Sequence, residues 1–285
     1  MQQAENLIEE AMNYGAELGL RPLGIGVGVP GLVDTRQGKL VFAPNLKWSD
    51  MPIGLIWMRR FNLPVFVENE ANCAALGEYF YGAAHNVNVF IHLTTGIGLG
   101  GGIMINGHLY KGVNGFAGEI GHMTIYQNGE VCGCGRHGCW ETYVSPRAML
   151  QRVRQMLVGV KDSQVLVLAG GDPEKITEEI VIEAARQNDP VALGVLHEMG
   201  EHLGVGIANL VNIFNPEMIV LGGALSHASP WLFPVIRSVL KDNVLPPLRD
   251  TIRIEASAQG VNACVVGAAS LVLDDLLREP LYSAM

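Results

Sequence analysis

Charge is scarce in this chain. Asp, Glu, Lys and Arg make up only 16% of its 285 residues, and the balance is negative, −9 in formal terms. The 19 Lys and Arg residues form no basic stripe, so the electrostatic footprint of a direct nucleic-acid binder is missing. Although 49% of the residues are hydrophobic, no uninterrupted apolar run reaches the ~18 residues that read as a membrane-spanning helix. Met1 to Glu10 is acidic with helical spacing, not basic and then apolar as an export leader is, and this predicts a cytoplasmic protein. Cysteine is rare too. Five cysteines do not make the disulfide framework of a small secreted domain. H-E-x-x-H does not occur, which removes the usual helical signature of zinc hydrolases. Internal repeats and low-complexity linkers are also absent.

The length and the globular composition predict two α/β lobes, because single cores rarely grow beyond ~250 residues. Ala4, Leu7, Ile8, Ala11 and Met12 recur at helical spacing, and Leu23 to Val29 reads as a buried strand stopped by Pro30 and Gly31. "LVDTRQGKLVFAPN" predicts a hairpin turning within Thr35 to Gly38, followed by a helix over 53–61, a strand over 65–67 and a helix in "ANCAALGEYFYG". A second unit opens with the strand "VNVFIHLTT", the glycine turn "GIGLGGG" and the strand "GIMI", with a tight hairpin at Asn106 and Gly107. Helices are expected over 141–158, from Asp189 and Pro190 to near Asn215, from a cap at Ser229 and Pro230, and over 263–277. Strands are expected in "EMIVLGGALS" and "IRIEAS", and Gly200, Gly204 and Gly206 predict close helix packing.

Three of the five cysteines, Cys132, Cys134 and Cys139, crowd into "VCGCGRHGCWE". Soft thiolates at this spacing suit zinc, and Gly133, Gly135 and Gly138 permit the turns that converging ligands require. A disulfide between cysteines one residue apart would be strained, so a metal is the better reading. A closed tetrahedral site needs a fourth ligand, for which spacing alone leaves His122, His137, Cys73 and Cys264 open. Such a site has no open position for a catalytic water, so the zinc reads as structural.

"EIGHMTI…CGCGRHGCWE" resembles the zinc signature of the ROK family of bacterial repressors and sugar kinases. "GVGVPGLVD", "APNLKW", "ENEANCAALGE", "LTTGIGLGGGIMINGHLYKG", "GFAGEIGH", "GIANLVNIFNPEMIVLGGALS" and "GAASLVL" resemble further segments of the family, in the family's order. The resemblance implies an actin-like, two-lobed α/β fold, with residues 1–72 and 266–285 in a smaller lobe and 73–265 in a larger one that carries the zinc loop. It selects His122 as the fourth ligand beside Cys132, Cys134 and Cys139, and leaves His137 as an exposed loop residue. Asn69, Glu70, Glu119, His122 and Glu141 are then implied to face a sugar (a hexose, an amino sugar or a pentose). The subunits are implied to form dimers or tetramers.

Family kinases place an aspartate base after the asparagine, where this chain has Glu70, one methylene longer. An ångström of misplacement costs on the order of a hundredfold in rate. The D-x-G-G-T phosphate hairpin is missing, so the chain is expected to start downstream of it, and the second glycine turn carries Ile97 between Gly96 and Gly98 in place of a hydroxyl residue. Gly96, Gly98, Gly222 and Gly223 are the remaining candidate nucleotide contacts. ATP binding is therefore not expected. The preferred reading is the sugar-binding effector domain of a carbohydrate-responsive regulator without its helix-turn-helix. The alternative is an ATP-dependent hexose kinase that lacks its phosphate-binding segment, with Glu70 as base.

Overall fold

The computed structural model describes residues 1–43, 46–160 and 162–278. The chain divides into two compact units, Met1–Glu70 with the C-terminal stretch from Ala268, and Ala71–Gly267. Each crossing lies two residues from the boundary expected from the sequence.

The first unit contains α1 (Gln2–Glu17), β1 (Ile25–Val29), β2 (Leu32–Asp34), β3 (Lys39–Ala43), β4 (Trp48–Met51), α2 (Ile53–Phe61) and β5 (Val65–Asn69). β1 runs parallel to β5, with Ile25 opposite Val65 and Val29 opposite Asn69, while β2, β3 and β4 form an antiparallel meander. Pro44 and Asn45, at the end of the predicted hairpin, lie outside the described residues. Ala4, Ile8 and Met12 pack against a core that includes Val33, Leu40, Trp57 and Val67. Leu7 does not join them and is 65% exposed. Residues four apart stay on one helix row, whereas Leu7 sits about 100° away from Ile8. Glu5 is buried and pins α1 to α2, accepting hydrogen bonds from Trp57 Nε1 at 3.1 Å and Arg60 at 2.6 Å.

The second unit begins in α3 (Glu70–Tyr81) and continues through β6 (Phe90–Thr95), β7 (Leu99–Ile105), β8 (His108–Leu109), α4 (Glu141–Val144), α5 (Pro146–Met156), α6 (Gln164–Leu168) and α7 (Glu178–Arg186). There follow α8 (Pro190–Phe214), β9 (Met218–Gly223), α9 (Ala224–Asn243), α10 (Pro246–Arg249), β10 (Arg253–Ala256) and the start of α11 (Ala263–Arg278), whose residues from Ala268 on belong to the first unit. The five-stranded sheet has the order β10-β9-β6-β7-β8, parallel through the first three strands and antiparallel beyond β6. Strands covered on both faces need apolar residues at successive positions, and these are supplied by Phe90 and Ile91 in β6 and by Met218, Ile219, Val220 and Leu221 in β9, all buried. Among the described residues no helix is long and apolar enough to cross a membrane.

Local chemistry places several elements as expected. Asp189 caps α8 by accepting from the Ala192 amide at 2.9 Å, with Pro190 in the first turn, and Asn215 ends the helix at φ 44°. Asn106 and Gly107 both have positive φ and close the β7–β8 hairpin.

Other elements depart from expectation. The "LGGG" part of the predicted glycine turn is strand: β7 starts at Leu99, and α3 lies so close that a Cβ on Gly102 would stand 2.6 Å from the Ala71 carbonyl oxygen. The predicted helix over 141–158 breaks at Ser145, which is extended (ψ 158°) because a residue before proline is driven out of the helical region; Ser145 then caps α5. Conversely, α9 starts at Ala224 and carries Pro230 and Pro234 inside it, held by its buried face of Leu225, Ala228, Leu232 and Ile236. Burial of that face outweighs the lost backbone bonds.

The glycines of α8 do permit close approach. A Cβ on Gly204 would lie 2.5 Å from Val239 Cβ of α9, and one on Gly206 would lie 2.1 Å from the fully buried indole of Trp140. Gly206→Ala is expected to destabilise the protein by about 1–3 kcal/mol, read from the urea midpoint. An unchanged midpoint would contradict this seating of Trp140.

His92, in the middle of β6, is fully buried, and neither ring nitrogen has a hydrogen-bond partner among the described residues. Burial lowers its pKa from 6.5 to about 4, only partly opposed by the carboxylate of Glu78. The unfolded chain therefore takes up this proton first as pH falls. Stability is expected to decline from about pH 6.5 towards pH 4, by at most about 3 kcal/mol from this group. Urea titrations at pH 7.5 and 4.5 test this: His92→Leu is expected to lose that part of the slope.

Candidate metal centre

After β8 the chain enters a knuckle stitched by backbone pairs between Thr124 and Cys139 and between Val131 and His137. The Cys132 amide donates to the Arg136 carbonyl at 2.8 Å, the Gly135 amide to the Cys132 carbonyl at 2.9 Å, and the Trp140 amide to the Met123 carbonyl at 2.8 Å. Gly135 and Gly138 have positive φ, and a Cβ on Gly138 would lie 1.6 Å from the Tyr126 carbonyl oxygen. Gly133 has neither a positive φ nor a neighbour that forbids a side chain, so of the three loop glycines only two are required by the turns.

The knuckle, together with a short 3-10 turn at Ile120–His122, gathers His122, Cys132, Cys134 and Cys139, with one ligand atom from each within 4.8 Å of the others. Cys132 Sγ lies 3.7 Å from His122 Nδ1, and Cys134 Sγ lies 3.7 Å from Cys139 Sγ. This donor set can hold a metal ion. His137 is turned to the surface with Nδ1 3.2 Å from the Gly129 carbonyl oxygen, and Cys73 and Cys264 do not belong to the cluster.

Electrostatics differ among the thiols. Burial pushes Cys132 and Cys139 up, whereas Cys134, despite some loss of hydration, is held at about 6 by hydrogen bonds involving Arg136, Cys132 and Cys139. Arg136 is a site residue that the sequence reading passed over. Its guanidinium donates to the His122 carbonyl at 3.1 Å and lies beside the thiols, where its positive charge favours their thiolate forms. A cation inside a cysteine cluster was the available signal. Trp140 was also passed over. It anchors the knuckle to α8 by donating from Nε1 to the His202 carbonyl at 2.9 Å, and Tyr143 braces the other side by accepting from the Glu130 amide at 2.8 Å.

Two carboxylates border the cluster. Glu141, the first residue of α4, has Oε1 3.0 Å from Cys132 Sγ and 3.5 Å from His122 Nδ1. Glu119 has Oε2 3.9 Å from His122 Nε2, on the other edge of the imidazole, and its pKa is raised by desolvation. In the smaller unit, Asn69 ends β5 and donates from Nδ2 to the Gly31 carbonyl at 3.0 Å. Glu70 begins α3 with an exposed side chain, and loss of hydration around the carboxylate raises its pKa. Of the candidate nucleotide glycines, Gly96 and Gly98 lie in the β6–β7 bend. Gly222 and Gly223 end β9, where a Cβ would meet His92 Nε2 at 2.6 Å and the Thr95 carbonyl oxygen at 2.1 Å.

Comparison with known proteins identifies this assembly. The chain is 38% identical over 279 residues to the xylose repressor of Caldicellulosiruptor bescii, covering 98% of this chain and 69% of that protein. Its structure resembles a ROK family glucokinase from Streptomyces griseus in complex with glucose and AMPPNP, with a TM-score of 0.84, 34% identity and coverage of 95% of this chain and 88% of that one. It also resembles a ROK family transcriptional regulator, a homologue of the E. coli MLC protein, with a TM-score of 0.86, 30% identity and coverage of 98% and 71%. The ROK family pattern matches residues 2–275, so the histidine and three cysteines of the knuckle, the α/β sheet behind them and the actin-like fold that carries both place the chain in the ROK family.

Proposed function

We propose that the chain is the carbohydrate-binding effector domain of a transcriptional regulator, with a structural zinc ion held by His122, Cys132, Cys134 and Cys139. The observation that carries this reading is that a carboxylate borders the donor cluster: Glu141 Oε1 lies 3.0 Å from Sγ of Cys132 and 3.5 Å from Nδ1 of His122.

The residues fit zinc. Tetrahedral coordination with Zn–S near 2.3 Å and Zn–N near 2.05 Å puts sulfurs about 3.8 Å apart and sulfur about 3.6 Å from nitrogen, against the 3.7 Å of both pairs here. The ion would supply a fixed charge that holds the knuckle and leaves no open position for water. His122 turns Nδ1 to the sulfurs, so its Nε2 carries the proton and donates to a sugar hydroxyl. Glu141 and Glu119 accept from hydroxyls. Asn69 and Glu70 are further sugar residues on the strength of the family resemblance.

The xylose repressor relative supports the regulator reading, and the glucose-bound glucokinase supports a sugar as ligand. Calorimetry of the zinc-loaded protein against xylose, glucose and glucosamine tests the proposal. Binding of one of them is expected, and absence of heat with all three would overturn it.

A second reading, hexose phosphorylation, is favoured by the glucokinase similarity. Under it Glu70 is the base and Gly96, Gly98, Gly222 and Gly223 approach ATP. The tight packing at Gly222 and Gly223 accounts for those two glycines without a nucleotide. A coupled assay with ATP and glucose separates the readings, and sustained turnover would establish the kinase.

A further inference from the structure

Resting on the sugar-binding reading above, we infer that Gly98 is a positioning residue for the sugar-gripping carboxylate of Glu141. The Glu141 carboxylate is enclosed from two sides. Oε1 faces the metal ligands, 3.0 Å from Cys132 Sγ and 3.5 Å from His122 Nδ1. Oε2 faces the bend, and a Cβ built on Gly98 would stand 2.5 Å from it and 3.6 Å from Cδ. No backbone need explains this glycine, because its φ is not in the left-handed region. Gly96, in the same bend, has nothing within 4 Å of an added Cβ. Of the two bend glycines, only Gly98 makes room for a functional group.

The asymmetry of the contact predicts what a methyl group does here. The obstructed atom is the far end of a three-torsion side chain, so Glu141 swings aside instead of the fold straining. Stability and metal content stay near wild type, but the carboxylate leaves its place by on the order of an ångström, enough to lose hydrogen bonds to a rigid sugar ring. The bend thus has a use in this chain independent of phosphate: Ile97 is 67% exposed and brings no hydroxyl, while the glycine after it holds the aim of Glu141.

The test is calorimetry on zinc-loaded protein with whichever of xylose, glucose or glucosamine the wild type binds. Gly98→Ala is expected to weaken binding at least about tenfold, with unchanged zinc content and urea midpoint. Ile97→Ala, in the same bend with its side chain in solvent, is the control and is expected to bind as wild type. Glu141→Ala is expected to weaken binding alone, and Gly98→Ala added to it is expected to cost nothing further, because the methyl group then has no carboxylate to displace. If Gly98→Ala binds normally while Glu141→Ala does not, this inference is overturned and the sugar site stands. Additive losses in the double variant also overturn it, placing the effect of Gly98 elsewhere. If Glu141→Ala itself binds normally, or the wild type binds none of the three sugars, the sugar-site reading fails and this inference goes with it.

Discussion

Exchanging Cys134 and Cys139 for serine is expected to take the protein from about one zinc per chain to almost none, as read by metal analysis after dialysis. Two of four ligands are lost, and the remaining pair, His122 and Cys132, cannot hold the ion at trace free zinc. The stability that the metal contributes goes with it. For an ion whose free concentration stands about a thousandfold above its dissociation constant this is about 4 kcal/mol. The same midpoint shift should follow chelation of the wild type, which separates metal loss from any effect of serine at the buried Cys139 position. Zinc retained by the double variant would refute the ligand assignment.

The second large effect is on sugar affinity. Glu141→Ala is expected to weaken binding about 10- to 150-fold, the range for charged hydrogen bonds worth about 1.5–3 kcal/mol, while zinc stays in place. Glu119→Ala should cost less. Its side chain is 45% exposed against 22% for Glu141, so water replaces more of what is lost. Calorimetry at fixed zinc measures both, and equal affinities for the wild type and the Glu141 variant would remove the carboxylate from the site.

Much of the architecture was legible because it rests on short-range chemistry. The Asp189–Pro190 start and Asn215 end of α8, the Asn106–Gly107 hairpin and the apolar runs of β6 and β9 each need only a few adjacent residues to specify a cap, a turn or a doubly covered strand. The misreadings arose where a distant segment decides. Gly100 to Gly102 look like a turn in isolation and become strand where α3 packs on Gly100 and Gly102 and Ile120 on Gly101. Pro230 looks like a helix start and is tolerated within α9 because the flanking apolar residues are already seated in the core. The break at Ser145 was readable from Ser-Pro alone and was passed over.

The sequence by itself determined the family and offered the donor types that a metal could use. Three thiolates in eight residues with glycines at 135 and 138 can converge on an ion whatever surrounds them, since both spacing and positive φ are local properties. Spacing alone left the fourth donor open, and tertiary contacts put His122 beside the three cysteines. The Val131–His137 pairing turns His137 to the surface, while the Thr124–Cys139 pairing draws the segment after His122 alongside the last cysteine. α4 then brings Glu141 between the cluster and Gly98. Such meetings depend on how separate elements pack, and no spacing along the chain encodes them.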